Sequence, residues 1–228
     1  MAVDILENLK KSVTEYDVAG AASWAREAVA KQIDPLKALD ALTVGIRQIG
    51  DAFGRGELFL PELAAAADAI QSAVPIVEDE LKKQKVERET LGTVVVGTVY
   101  GDIHNIGKSM VSTLLIAEGF AVHDLGINIT ADEFVKAVSN CKADLLAMSA
   151  LLTITAPEQA KVISALKETG IRDQVKIMVG GGAITYKFAE NIGADGYDPT
   201  APGAVTLAKR LLGIKSRRGS VKRVQSQY

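Results

Sequence analysis

The sequence predicts an all-α domain followed by an α/β domain built on a five-stranded parallel sheet. Apolar residues recur at three- and four-residue spacing through the first third of the chain, the mark of amphipathic helices. Beyond it, five short β-rich runs alternate with helical segments, which predicts βα units and therefore parallel pairing. Between the two lies Leu81 to Glu89, a charged stretch whose periodicity fades. The expected division is residues 1–88 for a four-helix bundle, 89–213 for the α/β domain and 214–228 for a basic tail.

The first helix is set by Ile5, Leu6 and Leu9, and the second by Val18, Ala22, Ala25 and Val29. Asp34-Pro35 opens the third, with Asp as cap and Pro in the first turn; Leu36, Leu39, Leu42, Ile46, Ile49 and Phe53 form its apolar stripe. Gly54-Arg55-Gly56 breaks the pattern and Pro61-Glu62 restarts it. Leu63, Ala67, Ile70, Val74, Val77 and Leu81 then mark the fourth helix. Short connections between such helices favour an antiparallel bundle.

In the second domain the expected strands are Thr93 to Gly97, Ala121 to Asp124, Leu145 to Met148 and Lys176 to Val179, with a weak fifth near Gly196. Helices are expected over 106–119, 131–140, 157–169, 185–191 and 203–212. In such sheets ligands sit beyond the carboxyl ends of the strands, where the strand order reverses. The loops after the first, third and fourth strands are therefore the places to look for chemistry.

Composition removes several classes. At 48% hydrophobic the 228-residue chain is too apolar for a disordered protein. No apolar run approaches a membrane span, and the N-terminus lacks a signal-peptide pattern. The single cysteine, Cys141, excludes an internal disulfide and a Cys-rich metal site and points to a cytoplasmic setting. Five Lys/Arg fall in the last fourteen residues, so the rest carries 21 basic against 28 acidic side chains, a net of −7. An acidic body argues against nucleic acid as a partner, and the tail reads as a solvated terminus.

The first loop, Gly101-Asp102-Ile103-His104-Asn105-Ile106-Gly107-Lys108-Ser109, invites a phosphate-loop reading and fails it. Its glycines are one residue too far apart, and an acidic side chain stands where the phosphate cradle needs none. It fits a metal-ligand loop. In an extended loop the Asp102 carboxylate can accept the second N–H of His104, fixing the tautomer and making the outer nitrogen a better donor. Gly107 lets the next helix begin close to a ligand. A surface loop in which Asp and His are merely neighbours fits the spacing equally well. The third loop, from Ser149 through Leu151 and Thr153 to Thr155, offers small and hydroxyl residues at a strand mouth; a capped helix start explains it as well. Gly180-Gly181-Gly182 lets a flat ligand approach the backbone closely, and a flexible turn accounts for the same glycines.

Taken together, Asp102-x-His104-x-x-Gly107, Ser149-x-Leu151 and Gly180-Gly181 resemble the cobalamin-binding signature of methionine synthase and of the corrinoid proteins of anaerobic methyltransferase systems. Ile49-Gly50-Asp51-Ala52-Phe53 and Gly56-Glu57-Leu58-Phe59-Leu60-Pro61-Glu62 resemble the helical cap preceding that domain, so the likeness spans residues 1–213. It implies a flavodoxin/Rossmann-like sheet and bound cobalamin. His104 is then the lower axial ligand of cobalt, replacing the cofactor's own base, and Asp102 tunes it with Thr155 continuing the relay. Ser149, Leu151 and Thr153 line the channel of the displaced nucleotide tail, together with Gly107, and Gly180 and Gly181 make room along it.

The resemblance further implies a methyl carrier that is inactive alone. It would take a methyl group from a donor activated by a substrate-specific methyltransferase (methylamine, methanol, betaine or aryl methyl ether). It would pass that group to an acceptor methyltransferase serving tetrahydrofolate or a thiol, with a reductive activase as a further partner, and the bundle would shield the methyl face. A cobalamin-dependent sensor and a small mutase subunit share the same domain; the acidic body and the absence of a barrel weigh against them. His123 reads as structural, Trp24 as core and Cys141 as a buried small apolar residue, with Phe53 or Phe59 available to cover the corrin.

Overall fold

A computed structural model describes residues 2–84 and 90–214. The expected domain boundary near Arg88 and the basic residues from Lys215 onward lie outside them. The first four helices are α1 (Ala2–Thr14), α2 (Val18–Ala30), α3 (Pro35–Gly54) and α4 (Leu60–Gln84). Asp17 caps α2 by accepting from the Gly20 N–H, and Asp34 caps α3 from the Leu36 N–H with Pro35 in the first turn. Leu9 and Val13 of α1 meet Leu39, Leu42 and Ile46 of α3 and Leu63, Ile70 and Val77 of α4 in one fully buried core.

Helix α2 departs from expectation. The apolar pattern turns Val18, Ala22, Ala25 and Val29 inward, but the buried face is Ala21, Ala25 and Ala28, and Val18 is exposed. Helix α4, which packs along α2, also buries small residues, Ala66, Ala69 and Ala73 among them. Two alanine faces let the backbones approach, and Ser72 fixes the contact by donating to the Val18 carbonyl at 2.9 Å. The closeness of the helices thus outweighs burial of the larger valines. Trp24 is half-buried against the core.

The second half contains β1 (Thr93–Thr98), α5 (Ile106–Glu118), β2 (Ala121–Asp124), α6 (Ala131–Cys141), β3 (Leu145–Ser149), α7 (Ala156–Glu168), β4 (Lys176–Gly180), α8 (Tyr186–Ile192), β5 (Gly196–Tyr197) and α9 (Ala201–Leu211). These match the expected elements to within one or two residues at most ends; a 3-10 turn at Arg172–Gln174 was not foreseen. The strands are parallel in the order β2-β1-β3-β4-β5. The chain steps outward from β1 to β2 and then crosses back to β3, so the order reverses between β1 and β3.

Alternation along the strands separates two cores. Val94, Val96, Leu145, Ala147 and Met178 face α5 and α9, and this cluster is continuous with the core of the helical half. Val95, Leu146, Met148, Ile177 and Val179 face the other side, with Phe134 of α6 and Ile163 of α7. The helical half leans on α5: Gly50 of α3 sits beside Leu114 and Ala117, and the Arg47 Nε donates to the Ala117 carbonyl at 3.0 Å. Cys141 is half-buried rather than buried, and burial pushes its thiol pKa up. His123 lies within β2, half-buried.

Gly97 is required where β1 passes over Phe134. A Cβ there would stand 2.7 Å from two ring carbons of a fully buried side chain. We expect Gly97→Ala to lower stability by about 1–3 kcal/mol, read as a shift of the urea midpoint at unchanged slope. A midpoint equal to wild type would show that the ring moves freely.

Candidate functional site

The carboxyl ends of β1, β3 and β4 carry the site. After β1 the chain turns at Gly101, whose φ of +76° suits glycine and whose N–H donates to the Asn128 side chain at 2.8 Å. Asp102 follows, fully buried, with its backbone tied to the Val99 carbonyl and the Asn128 N–H. His104 is held at both ends. Its carbonyl accepts from the Thr98 hydroxyl at 3.1 Å, and its N–H donates to Asp102 Oδ1 at 3.0 Å.

The ring of His104 meets the same carboxylate oxygen, Nδ1 to Oδ1, at 2.8 Å. The other oxygen, Oδ2, accepts from the Leu151 N–H at 2.8 Å, the Leu152 N–H at 3.4 Å and the Thr155 hydroxyl at 2.6 Å. Burial alone pushes the Asp102 carboxyl up. The bonds from the Thr155 hydroxyl, the His104 backbone and ring and the Leu151 N–H outweigh it and hold the group well below the usual carboxylate range. An ionised carboxylate only accepts, so the proton of the ring sits on Nδ1. Nε2 then presents its lone pair on a side chain that is 45% exposed.

Among the described residues no group of three or more His, Cys, Asp or Glu side chains is placed to hold a metal ion. A metal at His104 must therefore bring the rest of its coordination with it, as a metal in a macrocycle does. The surroundings suit a broad apolar body: Ile103 and Ile106 flank His104 and are 69% and 61% exposed, and Leu151 lies across from them.

Beside His104 opens a cavity of about 1080 Å³ between the sheet, α5 and α9. Of the residues expected at a site, His104, Gly107, Ser149, Leu151, Gly180 and Gly181 line it. Asp102 and Thr155 stand buried behind His104 as its support. Thr153 is exposed on the β3–α7 loop and does not line this cavity, in the stretch that brings Thr155 onto Asp102. Phe53 of α3 reaches the cavity, whereas Phe59 is 70% exposed and stays outside it.

The three glycines prove unequal. Gly181 has φ +112°, and a Cβ there would overlap the carbonyl of Ala150. At Gly182 it would meet only the end of the Leu151 side chain, and at Gly180 it would find nothing closer than 3.9 Å. Gly107 also faces open space. Gly180 and Gly107 thus leave volume in the cavity, while Gly181 lets the β4 loop lie against the β3 loop.

Three features escaped the sequence. The segment Tyr197 to Pro202 forms one wall, and its signal was the helix start Thr200-x-Pro202 directly after a strand. Lys108 points to β2, its ammonium 2.5 Å from both oxygens of Asp124, and Ser112 donates to the same carboxylate at 3.1 Å. That lysine is engaged and does not serve a phosphate loop. On the opposite face of the sheet Gln159 of α7 donates to the Met148 and Gly180 carbonyls at 3.1 and 3.2 Å, tying the exits of β3 and β4 together.

Two family models, each described as a B12 binding domain, match residues 92–206 and 5–78. Trimethylamine corrinoid protein 2 of Methanosarcina mazei is 42% identical over 212 residues, covering 92% of this chain and 97% of the relative. A corrinoid protein of Desulfitobacterium hafniense is 39% identical over 215 residues, covering 93% and 100%. Among solved structures, the methanol:cobalamin methyltransferase complex MtaBC from Methanosarcina barkeri superposes with a TM-score of 0.75 at 28% identity, over 93% of this chain and 81% of that one. The monomethylamine corrinoid protein of Methanosarcina barkeri gives 0.52 at 32% identity, over 92% and 100%.

Proposed function

The chain belongs to the B12-binding family of corrinoid proteins, and from that premise we propose that it carries a methyl group on bound cobalamin between two methyltransferases, with His104 as the lower ligand of the cobalt. The observation that supports the reading most strongly is the Asp102–His104 pair, which fixes Nδ1–H inward and presents Nε2 to a metal that brings its own ring. When bound, the corrinoid's cobalt supplies the methyl-transfer chemistry.

Everything else falls to the chain. Asp102, saturated by Leu151, Thr155 and His104 itself, holds the imidazole in one tautomer and one direction. Thr155 has a second acceptor in the Leu152 carbonyl at 3.0 Å, so its hydroxyl can turn away from Asp102 when the imidazole changes its demand on the carboxylate. Ile103, Ile106 and Leu151 would give a corrin an apolar seat and exclude water beside His104. Ser149, Gly107, Gly180 and Gly181 border the cavity and would hold a displaced nucleotide tail there.

The partner class is a methyltransferase, as the complex in the structural neighbour suggests. An acceptor methyltransferase, a reductive activase and a cytoplasmic setting complete the proposal. Among the described residues no helix is long and apolar enough to cross a membrane.

The test is the absorption spectrum of purified protein reconstituted with hydroxocobalamin, compared with His104→Ala. The wild type should bind the corrinoid with a spectrum of imidazole ligation. The variant should bind about tenfold or more weakly, since loss of a ligand exceeds loss of its outer support, and should show a different axial ligand. Identical spectra overturn the assignment of His104; no bound corrinoid in the wild type overturns the proposal.

A further inference from the structure

The cavity beside His104 is layered, and the layering follows from sheet register. Residues on one face of a parallel sheet form lateral rows two positions apart, each step about 6–7 Å along the strand. The outer row is Thr98, Ser149 and Gly180. The next row inward is Val96, Ala147, Met178 and Gly196. The row beyond, with Val94 and Leu145 at zero exposure, is sealed in the core. Ser149 and Gly180 line the outer part of the cavity, and Val96, Ala147 and Met178 line its inner end. Leu207 and Ala204 of α9 and Val111 of α5 close that end from the helix side.

None of the polar residues of the lining belongs to the rows that form this inner end: Ser149 stands in the outer row, and His104 and Asn105 lie in the loop beyond β1. The Lys108 ammonium points away from it, across β1 to Asp124 on β2. Tyr197 packs on the opposite face of the sheet; its neighbour Gly196 is the residue that lies under Leu207. Asp198 and Thr200 are bonded to each other at the level of Gly180. The strand backbone at this depth is paired within the sheet.

Building on the proposed cobalamin site, we infer that this cavity selects the lower base of the corrinoid: it takes a benzimidazole bearing only carbon substituents and rejects a purine, with Ala147 and Met178 as the specificity-determining residues. The covalent order of a nucleotide tail is phosphate, ribose, then base. The polar portion falls at the Ser149–Gly180 row and the base at the Ala147–Met178 row. A dimethylbenzimidazole presents methyl groups and ring edges to valine, alanine, methionine and leucine, and the one ring nitrogen it frees when His104 takes its place is a cost that both bases share. A purine brings an exocyclic amine and additional ring nitrogens, which give up water and find no partner. Each such group lowers affinity roughly five- to a hundredfold. Met178 sits between Ala147 and Gly196 on the floor, where its side chain sets both the width and the polarity of the slot.

The experiment is equilibrium binding of the purified chain, followed by absorbance, to three corrinoids: cobalamin, its adeninyl analogue, and cobinamide, which has no nucleotide. Cobalamin should bind at least tenfold more tightly than the adeninyl analogue, and the latter no more tightly than cobinamide. Met178→Gln, nearly isosteric, should narrow the gap by raising affinity for the adeninyl analogue. Equal affinity of the wild type for cobalamin and the adeninyl analogue overturns the inference while leaving the corrinoid site in place. An unchanged gap in folded Met178→Gln overturns the assignment to this wall. If even cobinamide fails to bind, the proposed function is wrong and the inference falls with it.

Discussion

Asp102→Ala should lower stability by about 2–4 kcal/mol in the cofactor-free protein and weaken hydroxocobalamin binding by about tenfold or more. The carboxylate is fully buried and joins two loops, the one after β1 and the one after β3. It accepts from the His104 N–H and ring, from the Leu151 and Leu152 N–H groups and from the Thr155 hydroxyl. Thr155 keeps a partner in the Leu152 carbonyl, and the exposed ring of His104 can find water. The backbone N–H groups of His104, Leu151 and Leu152 lose their charged acceptor, and the loss of these charge-assisted bonds accounts for most of the expected effect. Asp102→Asn separates the two roles. Its single carbonyl oxygen can serve one set of donors only, so it should recover part of the stability while leaving His104 without its acceptor. Urea midpoints and a corrinoid titration on the three proteins read both effects. Stability within about 0.5 kcal/mol of wild type for Asp102→Ala would mean that water replaces the carboxylate without penalty, and the central place given to this residue would be wrong.

The reach of the sequence follows the range of the interactions. Asp102 and His104 are two residues apart on an extended loop, so their partnership is local and legible. The strand order could be anticipated only as far as parallel pairing, yet that was enough to name the three loops that converge. What escaped was set by distant contacts. The alanine face of α2 is set by packing against α4, whose Ser72 bonds the Val18 carbonyl from 54 positions away, and no periodicity within α2 records it. The sequence shows Lys108 only beside Gly107 and Ser109, while its partner Asp124 lies sixteen positions on in β2. Gln159 acts from the far side of the sheet on carbonyls of β3 and β4. The resemblance places Thr153 beside Ser149 and Leu151, and the long-range bond from Thr155 to Asp102 in the same loop is not legible in the sequence. The distinction between Gly180 and Gly181 was equally hidden, since two adjacent glycines look alike until one has a neighbour.

That distinction yields the sharpest separation of fold from function. Gly181→Val should cost about 3 kcal/mol or more of stability and abolish tight cobalamin binding, while Gly180→Val should retain near-wild-type stability and still lose binding. At Gly181 the backbone is left-handed (φ +112°), and any Cβ overlaps the Ala150 carbonyl. The β4 loop must then retreat from the β3 loop. Retreat breaks the bond from the Ala150 N–H to the Gly180 carbonyl at 3.0 Å and shifts the adjoining Leu151 N–H off Asp102. The damage reaches His104 without touching it. At Gly180 the φ is ordinary and the nearest atom to a new Cβ is 3.9 Å away, so the side chain enters empty space. That space is the cavity wall beside Ser149, where the nucleotide tail is placed by the proposal. Cobinamide discriminates the mechanisms, since it has no tail to obstruct: Gly180→Val should bind it as the wild type does, and Gly181→Val should bind it poorly. Equal cobinamide affinity in both variants would show that Gly181 serves only the tail, and the coupling from the β4 loop through Ala150 and Leu151 to the axial ligand would be refuted.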